Sequence, residues 1–222
     1  MTRYKVVEKF VSINGEGPRA GQLAVFIRFQ GCNLNCTYCD TAWANQAEVP
    51  CTLMNTEEIC RYIKETGIHH VTLTGGEPLL HSDRRELIEA MSRDRELSVE
   101  IETNGSIDLS EISRIDNPPA FTMDYKLPGS GMEGQMLVSN FSWLTAKDTV
   151  KFVAGSRLDL DRAREIIDQY QLTSRCQVHI STVFGQIEWS EVVDYMKNHL
   201  MNNVVLQIQM HKVIWPPDQR GV

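Results

Sequence analysis

Short apolar, β-branched runs recur along the chain, separated by stretches in which apolar residues return every three or four positions. The runs predict strands at residues 23–29, 70–74, 99–103, 121–125, 150–153, 178–182 and 204–209. They read as mostly apolar, as expected of parallel strands covered on both faces. The longer stretches predict helices at 56–66, 83–93, 159–171 and 188–199, with a short turn-rich helix at 108–115. Asn55 and Glu58 have the spacing of a capping box before the first helix, and Gly67 is placed to end it. Strands alternating with helices imply parallel βα units, in an open doubly wound sheet or a full or partial barrel.

The strand ends separate these options. The first strand runs into Cys32, Cys36 and Cys39, and the second into Gly75-Gly76-Glu77-Pro78. The third ends in Glu102-Thr103-Asn104-Gly105, the fourth in Asp124-Tyr125-Lys126, and the last in Gln209-Met210-His211-Lys212. Ligand-type residues gathered at the carboxyl ends of parallel strands are a barrel pattern. Too few strands are visible for a closed eightfold ring. The expected fold is therefore α/β, a partial (β/α) barrel of about six to seven parallel strands. No repeat or linker interrupts the sequence, so residues 1–222 are expected to form one domain.

Composition narrows the function. The chain is 42% hydrophobic and 23% charged, with a formal net charge of −7. An acidic balance without a Lys/Arg run argues against nucleic acid as a partner. No apolar run is long enough to span a membrane, and the first residues lack a secretory-signal pattern. A cytoplasmic protein is expected. Six cysteines in a reducing compartment point to metal or redox chemistry rather than a disulfide framework.

Three of them form Cys32-x3-Cys36-x2-Cys39 on a loop directly after a strand. Iron–sulfur cubanes are normally held by four thiolates, so three leave one iron open to a ligand. The competing readings are a zinc site completed by Cys51 or a distant His, and a coincidental trio of buried cysteines. Gly75-Gly76-Glu77-Pro78 suits either a close backbone approach to a ligand or a tight strand-to-helix turn. Asp124 and Lys126 share one face of an extended segment, to bind a ligand or to pair at the surface. Cys51, Cys60 and Cys176 share no ligand spacing, and packing is expected of the last two. His179 is expected near the barrel mouth.

The cysteine spacing, with the aromatic Tyr38 before the third cysteine, resembles the radical S-adenosylmethionine superfamily. The resemblance implies a 4Fe–4S cluster on Cys32, Cys36 and Cys39, with S-adenosylmethionine chelating its open iron. It also implies cofactor contacts from Tyr38, Cys39, Asp40, Gly75, Gly76, Glu77, Glu102, Asp124, Tyr125 and Lys126. Within that superfamily, Asn14-Gly15-Glu16-Gly17, Arg28, Cys39-Asp40-Thr41 and the compact length resemble the 7-carboxy-7-deazaguanine synthase family. This likeness implies a lyase that contracts the ring of 6-carboxy-5,6,7,8-tetrahydropterin, with release of ammonia, in queuosine and 7-deazapurine biosynthesis. It further implies Mg2+ at Thr41, a homodimer, and an electron donor such as flavodoxin or ferredoxin. Substrate contacts would come from Ile13, Asn14, Gly15, Glu16, Arg28, Thr74, Gln209 and His211. Asn14 stands where many members have Gln, and Asp124-Tyr125-Lys126 where they have Ser-Pro-Lys. The competing functions are a glycyl-radical-enzyme activase and a non-catalytic iron–sulfur or zinc regulator.

Overall fold

The computed structural model describes residues 3–222. In chain order come β1 (Tyr4–Ile13), β2 (Leu23–Phe29), β3 (Thr52–Met54), α1 (Thr56–Thr66), β4 (His70–Gly75), α2 (Arg84–Ser92) and β5 (Ser98–Thr103). They continue as β6 (Ala120–Tyr125), β7 (Thr149–Ala154), α3 (Arg157–Tyr170), β8 (Gln177–Thr182), α4 (Trp189–Asn198), β9 (Val204–Leu206) and α5 (His211–Ile214). All strands join one sheet in the order β3-β1-β2-β4-β5-β6-β7-β8-β9. From β2 onward each neighbour is parallel, whereas β1 runs antiparallel to both β2 and β3. Among the described residues β3 and β9 do not pair, so the sheet stays open. It nevertheless curls: Arg28 of β2 and Thr182 of β8 line the same cavity.

The seven parallel strands are those the sequence predicts, although β9 stops at Leu206. The antiparallel β1 and β3 were not predicted. β1 carries Lys5, Glu8 and Lys9 among its apolar residues, which hides its alternation, and β3 is three residues long. The capping box of α1 is present in full: Glu58 N–H donates to Asn55 Oδ1 and Asn55 N–H to Glu58 Oε2, while Gly67 closes the helix at φ 68°. The helix expected at 108–115 is reduced to one 3₁₀ turn at Ile112–Arg114. There Asp108 accepts from Ser110 N–H and hydroxyl, a local turn that competes with helix. None of the helices among the described residues is long and apolar enough to cross a membrane.

The strands are not apolar on both faces. Val99 and Ile101 of β5, Phe121 and Met123 of β6, and Val150 and Phe152 of β7 enter the hydrophobic core. Alternate positions, including Glu102, Thr122, Asp124 and Lys151, line a cavity on the concave side. Strand side chains alternate between faces, so segments such as Val99-Glu100-Ile101-Glu102 place one row under the helices and one inside the curl. The inner face is polar because it encloses a site rather than a packed core.

Candidate active site

At the carboxyl ends of the parallel strands lies a cavity of about 500 Å³. Cys32, Cys36 and Cys39 of the loop after β2 face it, as do Gly75 and Gly76 at the end of β4, Asn104 after β5 and Lys126 after β6. Gln209 and His211 close it from the end of the chain.

Backbone contacts hold the cysteine loop. Gly76 N–H donates to Phe29 O (3.1 Å) and Glu77 N–H to Gly31 O (2.8 Å). A side chain at Gly75 or Gly76 would collide with the main chain of Phe29 or Gly31, and Gly75 sits at φ 135°. These glycines therefore let β4 pass against the cysteine loop itself. On the other side, Thr37 N–H donates to Ser130 O (3.1 Å) and the Tyr38 hydroxyl to Val153 O (3.2 Å). Cys32 Sγ accepts from Leu34 N–H (3.4 Å) and Asn104 Nδ2 (3.5 Å). Burial pushes the Cys36 thiol above its ordinary pKa, a rise that the Lys126 ammonium opposes.

Three soft thiol donors share this cavity, the donor chemistry a cubane needs for three of its irons. Among the described residues no three His, Cys, Asp or Glu side chains converge on a point suited to one metal ion. A cubane instead takes each thiolate on a different iron. Cys51, the candidate fourth zinc ligand, is exposed and does not line the cavity.

A chain of alternating charge crosses the cavity floor. Lys126 Nζ lies 2.8 Å from Asp124 Oδ2, Lys151 Nζ 3.9 Å from the same oxygen, and Lys151 Nζ 3.2 Å from Glu16 Oε2. The Ser181 hydroxyl (2.6 Å) and Gln209 Nε2 (3.1 Å) also donate to Glu16. Burial alone would raise the Glu16 pKa, but the Lys151 charge and these hydrogen bonds outweigh it and hold the carboxyl at about 2. Burial would likewise lower the Lys151 pKa, and the facing Glu16 and Asp124 raise it instead. Both groups are charged at neutral pH.

The Glu16 loop is fixed from the far end of the chain. Gly17 N–H donates to Gln207 Oε1 (2.7 Å), Gln207 Nε2 donates to Gly17 O (3.0 Å), and His179 Nδ1 lies 3.0 Å from the same Oε1. Met210 N–H donates to Gly15 O (3.0 Å). The His211 ring packs so closely on Gly15 that a side chain there would run into it. Arg28 faces the cavity with its Nε held by Glu8 at 3.0 Å, and the Thr74 hydroxyl donates to Glu102 (2.7 Å).

Most residues singled out from the sequence line this cavity: Ile13, Gly15, Glu16, Arg28, Tyr38, Asp40, Thr41, Thr74, Gly75, Gly76, Glu102, Asp124, Lys126, Gln209 and His211, with the three cysteines. Three do not. Glu77 is fully buried below the floor, where Leu79 N–H, Asn104 N–H and the Thr103 hydroxyl occupy its oxygens. Tyr125 points to the opposite face and packs on Phe141 and Phe152. Asn14 is buried, its Oδ1 accepting from Thr72 Oγ1 (2.9 Å). His179, expected near the mouth, is buried behind Gln207 and does not line the cavity. Sequence reasoning missed Lys151 and Gln207. Lys151 was detectable as a lone cation inside an apolar strand, whereas nothing local marks Gln207.

Comparisons with known proteins identify the family and the fold. The family model described as "Radical SAM superfamily" matches residues 26–123. A 7-carboxy-7-deazaguanine synthase of Clostridium acetobutylicum is 57% identical over 219 residues, covering 99% of each chain. One from Chlorobaculum tepidum is 34% identical, covering 98% of this chain and 96% of its own. The crystal structure of QueE from Escherichia coli superposes with a TM-score of 0.68 at 21% identity, covering 92% of each chain; this shows the shared fold.

Proposed function

The chain belongs to the 7-carboxy-7-deazaguanine synthase family, and from that premise we propose that it converts 6-carboxy-5,6,7,8-tetrahydropterin to 7-carboxy-7-deazaguanine with loss of ammonia. One observation carries the reading: the three cysteines share a single cavity with Arg28 and the Glu16–Lys151 pair. A redox-capable thiol set and a polar floor able to hold a flat, charged heterocycle thus face each other.

Cys32, Cys36 and Cys39 would hold the 4Fe–4S cluster. With S-adenosylmethionine bound, the cluster supplies the one-electron cleavage that starts hydrogen abstraction. Gly75 and Gly76 would offer backbone groups to the cofactor's methionine end, and Asp40, Glu102, Asp124 and Lys126 polar contacts. Glu77 and Tyr125 support that wall from behind rather than touching the ligand. An external donor of the flavodoxin or ferredoxin type would provide the electron.

Arg28 is suited to the substrate carboxylate. Glu8 fixes Nε and the orientation of the guanidinium plane, and the remaining N–H donors form a planar fork that an oxyanion can bind in two places. Mg2+, a hard ion that favours oxygen ligands, would use the Thr41 hydroxyl together with that carboxylate. Glu16 stays ionised and accepts only, so with Lys151 it presents a fixed dipole to the heterocycle. The stacked rings of Phe10 and Phe26, 5.0 Å apart, line the same cavity and would offer an apolar surface to the flat heterocycle.

The test is anaerobic incubation of reconstituted protein with the carboxytetrahydropterin, S-adenosylmethionine, Mg2+ and a reductant. Formation of the deazapurine is expected. A loaded cluster that cleaves S-adenosylmethionine yet yields no deazapurine would remove the assignment.

A further inference from the structure

Cys32 differs from the other two cysteines in what surrounds its sulfur. Among the described residues it accepts two N–H groups, Leu34 N at 3.4 Å and Asn104 Nδ2 at 3.5 Å. Among the described residues Cys36 Sγ has no such N–H donor, and Cys39 Sγ has a contact of 3.7 Å with Thr41 Oγ1 in which either atom can donate.

The Asn104 amide is locked in the orientation that makes this possible. Its Oδ1 accepts from Ser106 N–H (2.9 Å) and from the Ser106 hydroxyl (2.7 Å). A backbone N–H can only donate, so the oxygen must face Ser106 and the NH2 must face the cysteine loop. There Nδ2 also donates to Asn33 Oδ1 (3.1 Å), and Asn33 Nδ2 returns to Ser106 Oγ (2.8 Å), closing a ring of side chains. The backbone is fixed as well: Asn104 N–H donates to Glu77 Oε2 at 2.7 Å, and Glu77 is 0% exposed. A buried carboxylate that does not line the cavity thus aims an amide at one ligand sulfur.

We propose that Asn104, held by Glu77 and Ser106, tunes the reduction potential of the cluster through an N–H···S hydrogen bond to the Cys32 thiolate. This rests on the reading that Cys32, Cys36 and Cys39 hold that cluster. The bond draws negative charge from the sulfur. It therefore stabilises the reduced cluster, which carries one electron more from the external donor, over the oxidised one, and it raises the potential. No proton is transferred. The backbone N–H of Leu34 survives side-chain substitution, so part of the effect remains in any Asn104 variant.

The test is an EPR-monitored potentiometric titration of anaerobically reconstituted protein without S-adenosylmethionine. It compares the parent chain, Asn104→Ala and Ser106→Ala. Iron and sulfide content equal to the parent is expected for both variants. The midpoint is expected to move to more negative potential in Asn104→Ala and less far, in the same direction, in Ser106→Ala, where the amide loses its latch. If Asn104→Ala fails to assemble, Ser106→Ala alone decides. A loaded cluster with an unchanged or more positive midpoint overturns the inference. A parent protein that holds no iron defeats instead the cluster reading on which it stands.

Discussion

Lys151 Nζ lies 3.2 Å from Glu16 Oε2, tying the middle of β7 to the loop after β1. The ends of that tie are enclosed, with side-chain exposures of 13% and 10%. Removing one partner of such a pair leaves an uncompensated buried charge, which commonly costs about 3 kcal/mol or more. Lys151→Met is therefore expected to lower the denaturant midpoint markedly. Adding Glu16→Gln should recover part of the loss, because the stranded carboxylate is gone. Equal stability of Lys151→Met and the parent chain in urea melts would contradict the pairing.

The same pair sets an acid limit. Glu16 titrates at about 2 in the folded protein against an ordinary value of 4.5. A lowered folded pKa means that the unfolded chain binds more protons between those values. The contribution of Glu16 to stability is thus complete above pH 4.5 and drains away as the pH falls towards 2. Its full size is on the order of 3 kcal/mol. The stability gap between the parent chain and Glu16→Gln should shrink over that window. A gap that stays constant from pH 6 to pH 3 would show that the carboxylate is not held ionised.

Arg28→Ala is expected to raise KM for the pterin by about 100-fold, in line with loss of a charge-assisted hydrogen-bond pair. Iron content should not change. Arg28→Lys should rescue little, since an ammonium cannot reproduce the fork. Loss of cluster and of substrate affinity together would mean that the Arg28–Glu8 pair (3.0 Å) is architectural.

Gly15→Ala would drive a methyl group into the His211 ring. The expected outcome is displacement of α5 from the cavity and a fall in product formation of at least about tenfold, the scale of an overpacked contact costing 1–3 kcal/mol. Iron content, read on the same samples, separates this from damage to the cysteine loop, which α5 touches through Lys212 and Asp40 (3.3 Å). Unchanged turnover would show that His211 need not sit against the Gly15 backbone.

Much of this was readable from the chain because local rules and the fold agree. The seven parallel strands announce themselves by β-branched runs, and α1 by its cap and its Gly67. The cysteine loop stands out by its spacing, but reading it as a cluster site also takes Tyr38 and the neighbouring strand ends, since spacing alone leaves zinc open. β1 was not readable because its partners stabilise it: an antiparallel strand paired on both sides tolerates Lys5, Glu8 and Lys9. The inner polar row lies in plain view as Val99-Glu100-Ile101-Glu102, and is lost only if parallel strands are assumed to be apolar throughout. Glu77 and Tyr125 show the other gap: a motif names the residues at a strand end, but strand alternation and burial decide which side chains reach the ligand. Gln207 is the extreme case, since its role depends on Gly17 at the other end of the sequence.

The central claim is a cavity whose three thiolates hold a cubane with one iron left for S-adenosylmethionine. Low-temperature EPR of the dithionite-reduced, anaerobically reconstituted protein, recorded before and after adding S-adenosylmethionine, tests it most directly. About four irons per chain, a 4Fe–4S signal and a changed spectrum with the cofactor are expected. A signal that the cofactor leaves untouched, or a protein that takes up no iron, would contradict the account.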